Sequence, residues 1–431
     1  MQKIINPKPN SWSAILKRPT QSYSSIEGIV STVFQEVQLK GEDAIKKYTK
    51  KYDKVDVLQL SISSEEVENA CAKVPEKLKN AIQLAKANIE KFHSAQATNP
   101  VKVKIAEGVN CWQEKRAIQK VGLYIPGGTA PLFSTILMLA VPAKIAGCKE
   151  IILCTPPNEK GEINDAILYA ANLCGITKIF KVGGIQAIAA MTFGTKSVPI
   201  VYKIFGPGNQ FVTVAKQMAT KYGLAIDLPA GPSELLVFAD DTANASFVAS
   251  DLLSQAEHGE DSQVILVSTS PKFIDKVAIE VTEQLKHLTR RGIAKKAMDN
   301  SKLIYCETES VSLELINKYA PEHFIICAKN ERFFVDNIQN AGSVFIGNYT
   351  PESAGDYASG TNHTLPTNGY AKNYSGVNLD AFLKAITFQK ITKKGLQNIG
   401  SAIEIMAAAE GLDAHKNAVT IRLDSLKIQK L

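Results

Sequence analysis

The sequence has little of several things that would assign it to a special class. Tryptophan occurs twice, methionine six times and histidine six times in 431 residues. No run of apolar residues is long enough to cross a bilayer. The most apolar stretch, 132–146, is broken by Ser134, Thr135, Pro142 and Lys144, and a spanning helix needs roughly 20 apolar residues. A mean hydropathy of −0.04 agrees. The first twenty residues carry Lys3, Lys8, Lys17 and Arg18 without an apolar core, so a secretory signal is not expected. The seven cysteines (71, 111, 148, 154, 174, 306 and 327) are odd in number and never spaced as Cys-x-x-Cys. Disulfide frameworks and thiolate metal sites need pairs, so these read as buried thiols of a reducing cytoplasm. Charge of one sign is also scarce. The 49 Lys and Arg exceed the 42 Asp and Glu by seven, with no basic block of the kind nucleic-acid binders use. Neither a nucleic acid nor a membrane is expected as a partner.

What is present is an ordinary globular balance, 45% hydrophobic and 21% charged, over a length that suits two or three folding units. The first hundred residues read as helices. Ile26, Val30, Val33, Phe34 and Val37 recur at helical spacing, and Ser63 with Glu66 forms a capping box before the next helix. Residues 102–117 alternate like a strand pair turning at Glu107-Gly108. From Val121 the pattern becomes strand and helix, four times over and three times with a glycine turn between them, and a second strand–helix series starts at Leu235. That rhythm predicts parallel strands with helical crossovers. The architecture expected is α/β, two doubly wound Rossmann-like domains with a helical N-terminal arm and a helical tail from Asp380 onward. Between 348 and 378 lies a long polar segment, a length that is usually functional.

Three glycine turns follow strands: Gly127-Gly128, Gly183-Gly184 and Gly206-Pro207-Gly208. Backbone N–H groups at such turns approach phosphates. None completes the dinucleotide fingerprint, since Phe211 stands where a third glycine belongs. A nucleotide site here would be atypical, and plain structural turns are the alternative. His93 and His287 lie in polar amphipathic helices and read as solvated. Gln255 and His258, three apart, share a helix face, and Asp356, His363 and His415 sit in polar surroundings. Two His, one Asp and one Gln make an N/O donor set that suits zinc, manganese or cobalt equally. Glu322 and His323 stand together at the mouth of a strand, where an imidazole can abstract a proton and a half-buried carboxylate can activate water.

Seven motifs carry a resemblance. The stretches 122–128, 206–209, 229–234, 251–259, 321–323, 353–366 and 414–420 closely resemble, in the same order, the histidinol dehydrogenase family, from about residue 20 to the C-terminus. The resemblance implies an NAD-dependent oxidation of L-histidinol to L-histidine through L-histidinal, reducing two NAD, at the end of histidine biosynthesis. It implies one zinc per subunit, held by Gln255, His258, Asp356 and His415, and Glu322 and His323 as the acid–base pair. Ser233, His363 and Glu410 would touch substrate; Tyr124, Gln186 and Asn209 would line the NAD site. The family is a cytoplasmic homodimer with exchanged tails, so Glu410 and His415 would serve the partner's site. The division that goes with it is an arm at 1–20, a first α/β domain at 21–123 plus 233–378 with the metal and catalytic groups, a second at 124–232 on the NAD side, and a tail at 379–431. Three rivals are a metal-dependent hydrolase or lyase, a two-lobed binding protein, and an aldehyde dehydrogenase with a cysteine nucleophile. The last is weakened because no cysteine lies in a polar motif.

Overall fold

A computed structural model describes residues 1–19, 23–127, 130–229 and 231–428. Its strands, in chain order, begin with β1 (Gln2–Ile5), β2 (Val101–Ala106), β3 (Val109–Ala117) and β4 (Lys120–Tyr124). Next come β5 (Glu150–Thr155), β6 (Lys178–Lys181), β7 (Lys203–Phe205), β8 (Ala225–Ile226) and β9 (Glu234–Ala239). The last five are β10 (Gln263–Ser268), β11 (Lys302–Tyr305), β12 (His323–Cys327), β13 (Ser343–Ile346) and β14 (Leu383–Ile391). The chain divides into two compact units, 1–96 with 118–382, and 97–117 with 383–431.

The larger unit holds two parallel sheets. One runs β6-β5-β4-β7-β8 and the other β1-β11-β10-β9-β12-β13. In the six-stranded sheet the period-two rule is plain along β9. Leu235, Val237 and Ala239 face a core with Val248, Leu252, Phe273 and Ile274, whereas Leu236 and Phe238 face another with Ile316, Tyr319, Phe324 and Phe334. Both faces are therefore apolar and both carry helices, which is what doubly wound means physically. In the five-stranded sheet Ile152, Phe180 and Ile204 pack with the helices Gly184–Phe193 and Gln210–Thr220.

The helices of the first hundred residues form as their spacing predicts, including the reciprocal Ser63–Glu66 capping box. Their placement corrects the expected division. Ile26, Val30, Phe34, Ala44 and Ile45 are buried with Ile188, Met191 and Ala215, so the helices Tyr23–Lys40 and Glu42–Tyr52 belong with the five-stranded sheet. Their apolar stripes find their partner there. The expected boundary at 123/124 cuts β4, whose backbone pairs with both β5 and β7. The N-terminal arm contains a strand, since β1 pairs in parallel with β11 at the sheet edge.

The smaller unit corrects the tail. Where a helix is expected from Asp380, β14 runs antiparallel to β3 in a three-stranded sheet ordered β14-β3-β2. Ile386, Thr387 and Ile391 are β-branched, and Phe388 stacks on Trp112 with ring centroids 5.2 Å apart. Residues 97–117, assigned above to the first α/β domain, are held by this pairing. The helices Lys393–Ala409 and Asp413–Ile428 complete the unit. Among the described residues no helix is long and apolar enough to cross a membrane.

Candidate active site

A cavity of about 1140 Å3 opens in the larger unit, lined from both sheets. The five-stranded sheet presents the C-terminal ends of its strands. Tyr124 ends β4, Gly184 follows β6, and Gly206-Pro207-Gly208 follow β7. Strands β4 and β7 are neighbours from which the chain runs outward in opposite directions, the usual place for a ligand in an open α/β sheet. The six-stranded sheet does the reverse. Its corresponding pair is β9 and β12, yet Ser233, Glu322 and His323 lie at their N-terminal ends.

The glycine turns are shaped for contact. Gly206 has φ +135°, and a Cβ there would stand 2.0 Å from the Tyr124 carbonyl oxygen. The turn is held from below by the buried Lys216, whose Nζ donates to the Gly206 carbonyl at 2.8 Å and meets Asp227 at 2.5 Å. The Asp227 carboxylate in turn accepts from the Gly206 N–H at 2.7 Å. Asn209 caps the helix that follows, its side-chain oxygen accepting from the Val212 N–H. The Gly184 N–H donates to the Tyr124 hydroxyl at 2.9 Å, and the buried Gln186 keeps its Oε1 without a partner. All three residues assigned to the NAD side line this part of the cavity.

The opposite end is built of charge. The Glu234 peptide holds Glu322 and His323 from both sides: its N–H donates to Glu322 Oε2 at 2.8 Å, and its carbonyl accepts from His323 Nδ1 at 3.2 Å. Donation from Nδ1 fixes the tautomer and leaves Nε2 with its lone pair, buried and unpartnered. Burial pushes the His323 pKa down to about 4, so the imidazole is neutral and able to accept a proton. Burial pushes the Glu322 carboxyl well above its ordinary range, which makes its carboxylate a stronger base. The Glu234 side chain is anchored by Arg18, with Nε to Oε1 at 2.5 Å and Nη2 to Oε2 at 2.8 Å. The Arg18 guanidinium lies 4.0 Å from the Tyr319 ring centroid.

Around His323 stand Asp356, with Oδ1 4.0 Å from Nε2, and Glu352, with Oε1 3.7 Å from Nδ1. Donor atoms of His323, Glu352 and Asp356 all lie within 4.8 Å of one another. The Gln255 amide stands between the Glu352 carboxylate and the Glu234 N–H. His258 opens into the cavity, its pKa lowered by desolvation against an opposing pull from Asp356. His363 is held in place by two bonds: Nδ1 donates to the Asp356 carbonyl at 3.0 Å, and Nε2 is 2.9 Å from Thr135 Oγ1. A cation fits this end. Burial, then repulsion from Asp356, drives the Glu352 carboxyl well above its ordinary range. The converging carboxylate oxygens, with the His258 imidazole open to the same cavity, are an N/O set for a borderline metal.

Ten of the twelve residues assigned from the sequence line one cavity: Tyr124, Gln186, Asn209, Ser233, Gln255, His258, Glu322, His323, Asp356 and His363. Glu410 and His415 belong to the smaller unit, where both are exposed; Glu410 ends the helix Lys393–Ala409 and His415 lies in the first turn of the helix Asp413–Ile428. His93 is not solvated. It is fully buried, with Nδ1 bonded to the Ile89 carbonyl at 2.9 Å and Nε2 3.3 Å from the Asn362 amide. Glu352, Glu234 and Arg18 were missed. Glu352 had a signal, since spacing of four from Asp356 puts both carboxylates on one helix face. Arg18 and Glu234 are 216 residues apart, and no local pattern joins them. No cysteine lines the cavity among the described residues, and burial pushes the Cys148 and Cys306 thiols up to about 11, which removes the cysteine-nucleophile reading.

A neutral imidazole and a carboxylate at one end of a cavity, with strand-end glycine turns at the other, suit an α/β oxidoreductase, the class to which its relatives belong. The histidinol dehydrogenase family pattern matches residues 16–423. The chain is 58% identical to a histidinol dehydrogenase of Bacteroides fragilis over 427 residues, covering 99% of this chain and 100% of that one. With a Salmonella typhi histidinol dehydrogenase the identity is 52%, over 98% and 97% of the two chains. The crystal structure of histidinol dehydrogenase from Elizabethkingia anophelis superposes with a TM-score of 0.97 at 56% identity, covering 99% of each. The chain belongs to the histidinol dehydrogenase family, oxidoreductases of histidine biosynthesis.

Proposed function

We propose that the protein carries out the NAD-dependent, four-electron oxidation of L-histidinol to L-histidine through L-histidinal, as a zinc-containing cytoplasmic homodimer. The observation that carries this reading is the Glu322–His323 pair locked on the Glu234 peptide in a cavity that also contains the Tyr124, Gln186 and glycine-turn wall. Zinc would be held by Gln255, His258 and Asp356, joined by His415, with Glu352 behind the Gln255 amide. When bound, zinc supplies an anchor for the imidazole and amine of the substrate, and NAD supplies the acceptor for hydride.

The protein's own groups do the rest. His323 Nε2, bare and neutral, takes the alcohol proton as hydride leaves the carbinol carbon. Glu322 then takes a proton from water, which adds to the aldehyde to give the hydrate, and a second hydride leaves from that hydrate to form the acid. Burial of this end keeps a reactive aldehyde away from other nucleophiles between the two steps. The partner assignment draws on the smaller unit, which exposes Ile105, Ile405, Met406 and Ile421, each more than half exposed. Exposed apolar side chains support a docking role for this unit, and a second copy placing His415 and Glu410 at the site would cover them.

Half-reactions test the division of labour. Glu322→Gln is expected to slow oxidation of supplied histidinal much more than the first oxidation of histidinol; equal losses in both steps would count against it. His258→Asn is expected to lose the metal, and retention of one zinc per subunit in that variant would show the ligand set to be wrong.

A further inference from the structure

Between the helix Glu42–Tyr52 and the turn at Gly184 lies a stretch of cavity wall that nothing in the acid–base chemistry uses. Asp53 ends that helix and lines the cavity. Its Oδ2 is buried and has no hydrogen-bond partner. Its neighbour across the wall is Tyr124, whose phenol feels the Asp53 charge. The Tyr124 hydroxyl already accepts from the Gly184 N–H at 2.9 Å, so its own proton remains to be donated. Gln186 follows, almost completely buried, with Oε1 unpartnered. Gln210 Oε1, also on the cavity wall, is a third buried acceptor without a donor. Buried polar atoms in folded proteins nearly always have partners, and three orphaned acceptors on one cavity wall point to a ligand that brings donors.

We infer that Asp53 is the residue that selects the cofactor, accepting a hydrogen bond from a ribose hydroxyl of the adenosine half of NAD and rejecting a 2′-phosphate. The inference rests on the NAD reading above and goes further by assigning the discrimination to one side chain. The chemistry follows from the groups. A ribose hydroxyl offers a proton to a carboxylate, whereas the oxygens of a 2′-phosphate offer none and add charge of the same sign. In nucleotide sites generally an acidic side chain takes the ribose 2′-hydroxyl, and a nearby arginine is what accommodates a 2′-phosphate. Lys51, on the same wall, is exposed and holds its Nζ 5.0 Å from the Tyr52 ring centroid, a solvated position. Desolvation without a compensating partner raises the Asp53 carboxyl to about 6, as expected of an acceptor awaiting a donor.

The test uses the full-length, metal-loaded protein and two probes that lack nicotinamide, ADP-ribose and 2′-phospho-ADP-ribose, titrated by calorimetry alongside NADH formation from NAD and NADP. The unaltered protein is expected to bind ADP-ribose at least about ten-fold more tightly than its 2′-phosphate, the size of one charge-assisted bond lost and one repulsion gained. Asp53→Asn, nearly isosteric and checked for folding by its melting curve, is expected to narrow that ratio to about two-fold and to shift the NAD-to-NADP ratio of kcat/KM in the same direction. Asp53→Ala should behave alike. Binding of both probes with a ratio unchanged in both variants overturns the role of Asp53 alone. Binding of neither probe by the unaltered protein overturns the dinucleotide reading and this assignment with it.

Discussion

The two ends of the cavity are made by sheets of the same kind and are chemically unlike. At the five-stranded sheet, backbone amides, glycines and neutral side chains sit at C-terminal strand ends, the usual position. At the six-stranded sheet, carboxylates and imidazoles sit at the N-terminal ends of β9 and β12. The first end needs close backbone approach, so its critical residues lack a Cβ: at Gly206 a methyl group would overlap the Tyr124 carbonyl. The second needs charged groups at fixed distance in a dry setting, so its critical residues are clamped by other polar groups, with Arg18 on Glu234 and Glu234 on both members of the pair. A doubly wound sheet thus supplies positions at either edge, and the residues at the strand ends decide the chemistry. The rule that ligands sit at C-terminal ends holds for the half that would bind the nucleotide and fails for the half that would react.

Three substitutions sharpen or break this contrast. The largest effect is expected at His323→Asn, a loss of about 10²–10⁴-fold in kcat with histidinol affinity retained, because the proposed general base is removed and the wall is not. Steady-state rates with calorimetric titration of histidinol check it, and a change confined to KM would blur the distinction between the two ends. Glu322→Gln should follow, with about 10²-fold lost in the oxidation of histidinal. Gly206→Ala should act on the other quantity, lowering kcat/KM for NAD by roughly ten- to a hundred-fold through misplacement of the turn, while kcat at saturating NAD changes little. A fall in kcat as large as that of Glu322→Gln would show that the two ends do not separate.

The smallest effect concerns stability. Burial holds the His93 pKa below its ordinary value, so as pH falls through about 6.5 the unfolded chain takes up a proton that the folded chain refuses. Stability contributed by His93 is therefore present above that pH and lost below it. The drop in Tm between about pH 7.5 and about pH 5.5 should be smaller in His93→Gln than in the unaltered protein. Equal drops would mean that this imidazole does not titrate on unfolding in that window.

Much of this was legible in the sequence because it is local. Strand, glycine turn and helix repeat within about thirty residues, the Ser63–Glu66 box spans one turn, and Glu322-His323 are adjacent. What was hidden depends on contacts between distant segments. Strand β14 pairs with β3 across more than 250 residues of chain, and the polar alternation of 383–391 is weak by itself. The stripe of the N-terminal helices shows that they bury something, and only tertiary packing shows that it is the five-stranded sheet. His93 was a misreading with a visible cue. Ile82, Ala85, Ile89 and His93 recur at three and four along the buried face of one helix, and polarity of residue type outweighed position.

The most direct test of the account is the stoichiometry of the complete reaction. With limiting L-histidinol and excess NAD, the protein should form two NADH per substrate consumed, with L-histidine as product and no free aldehyde. One NADH per substrate with histidinal released, or no NADH at all, would contradict it.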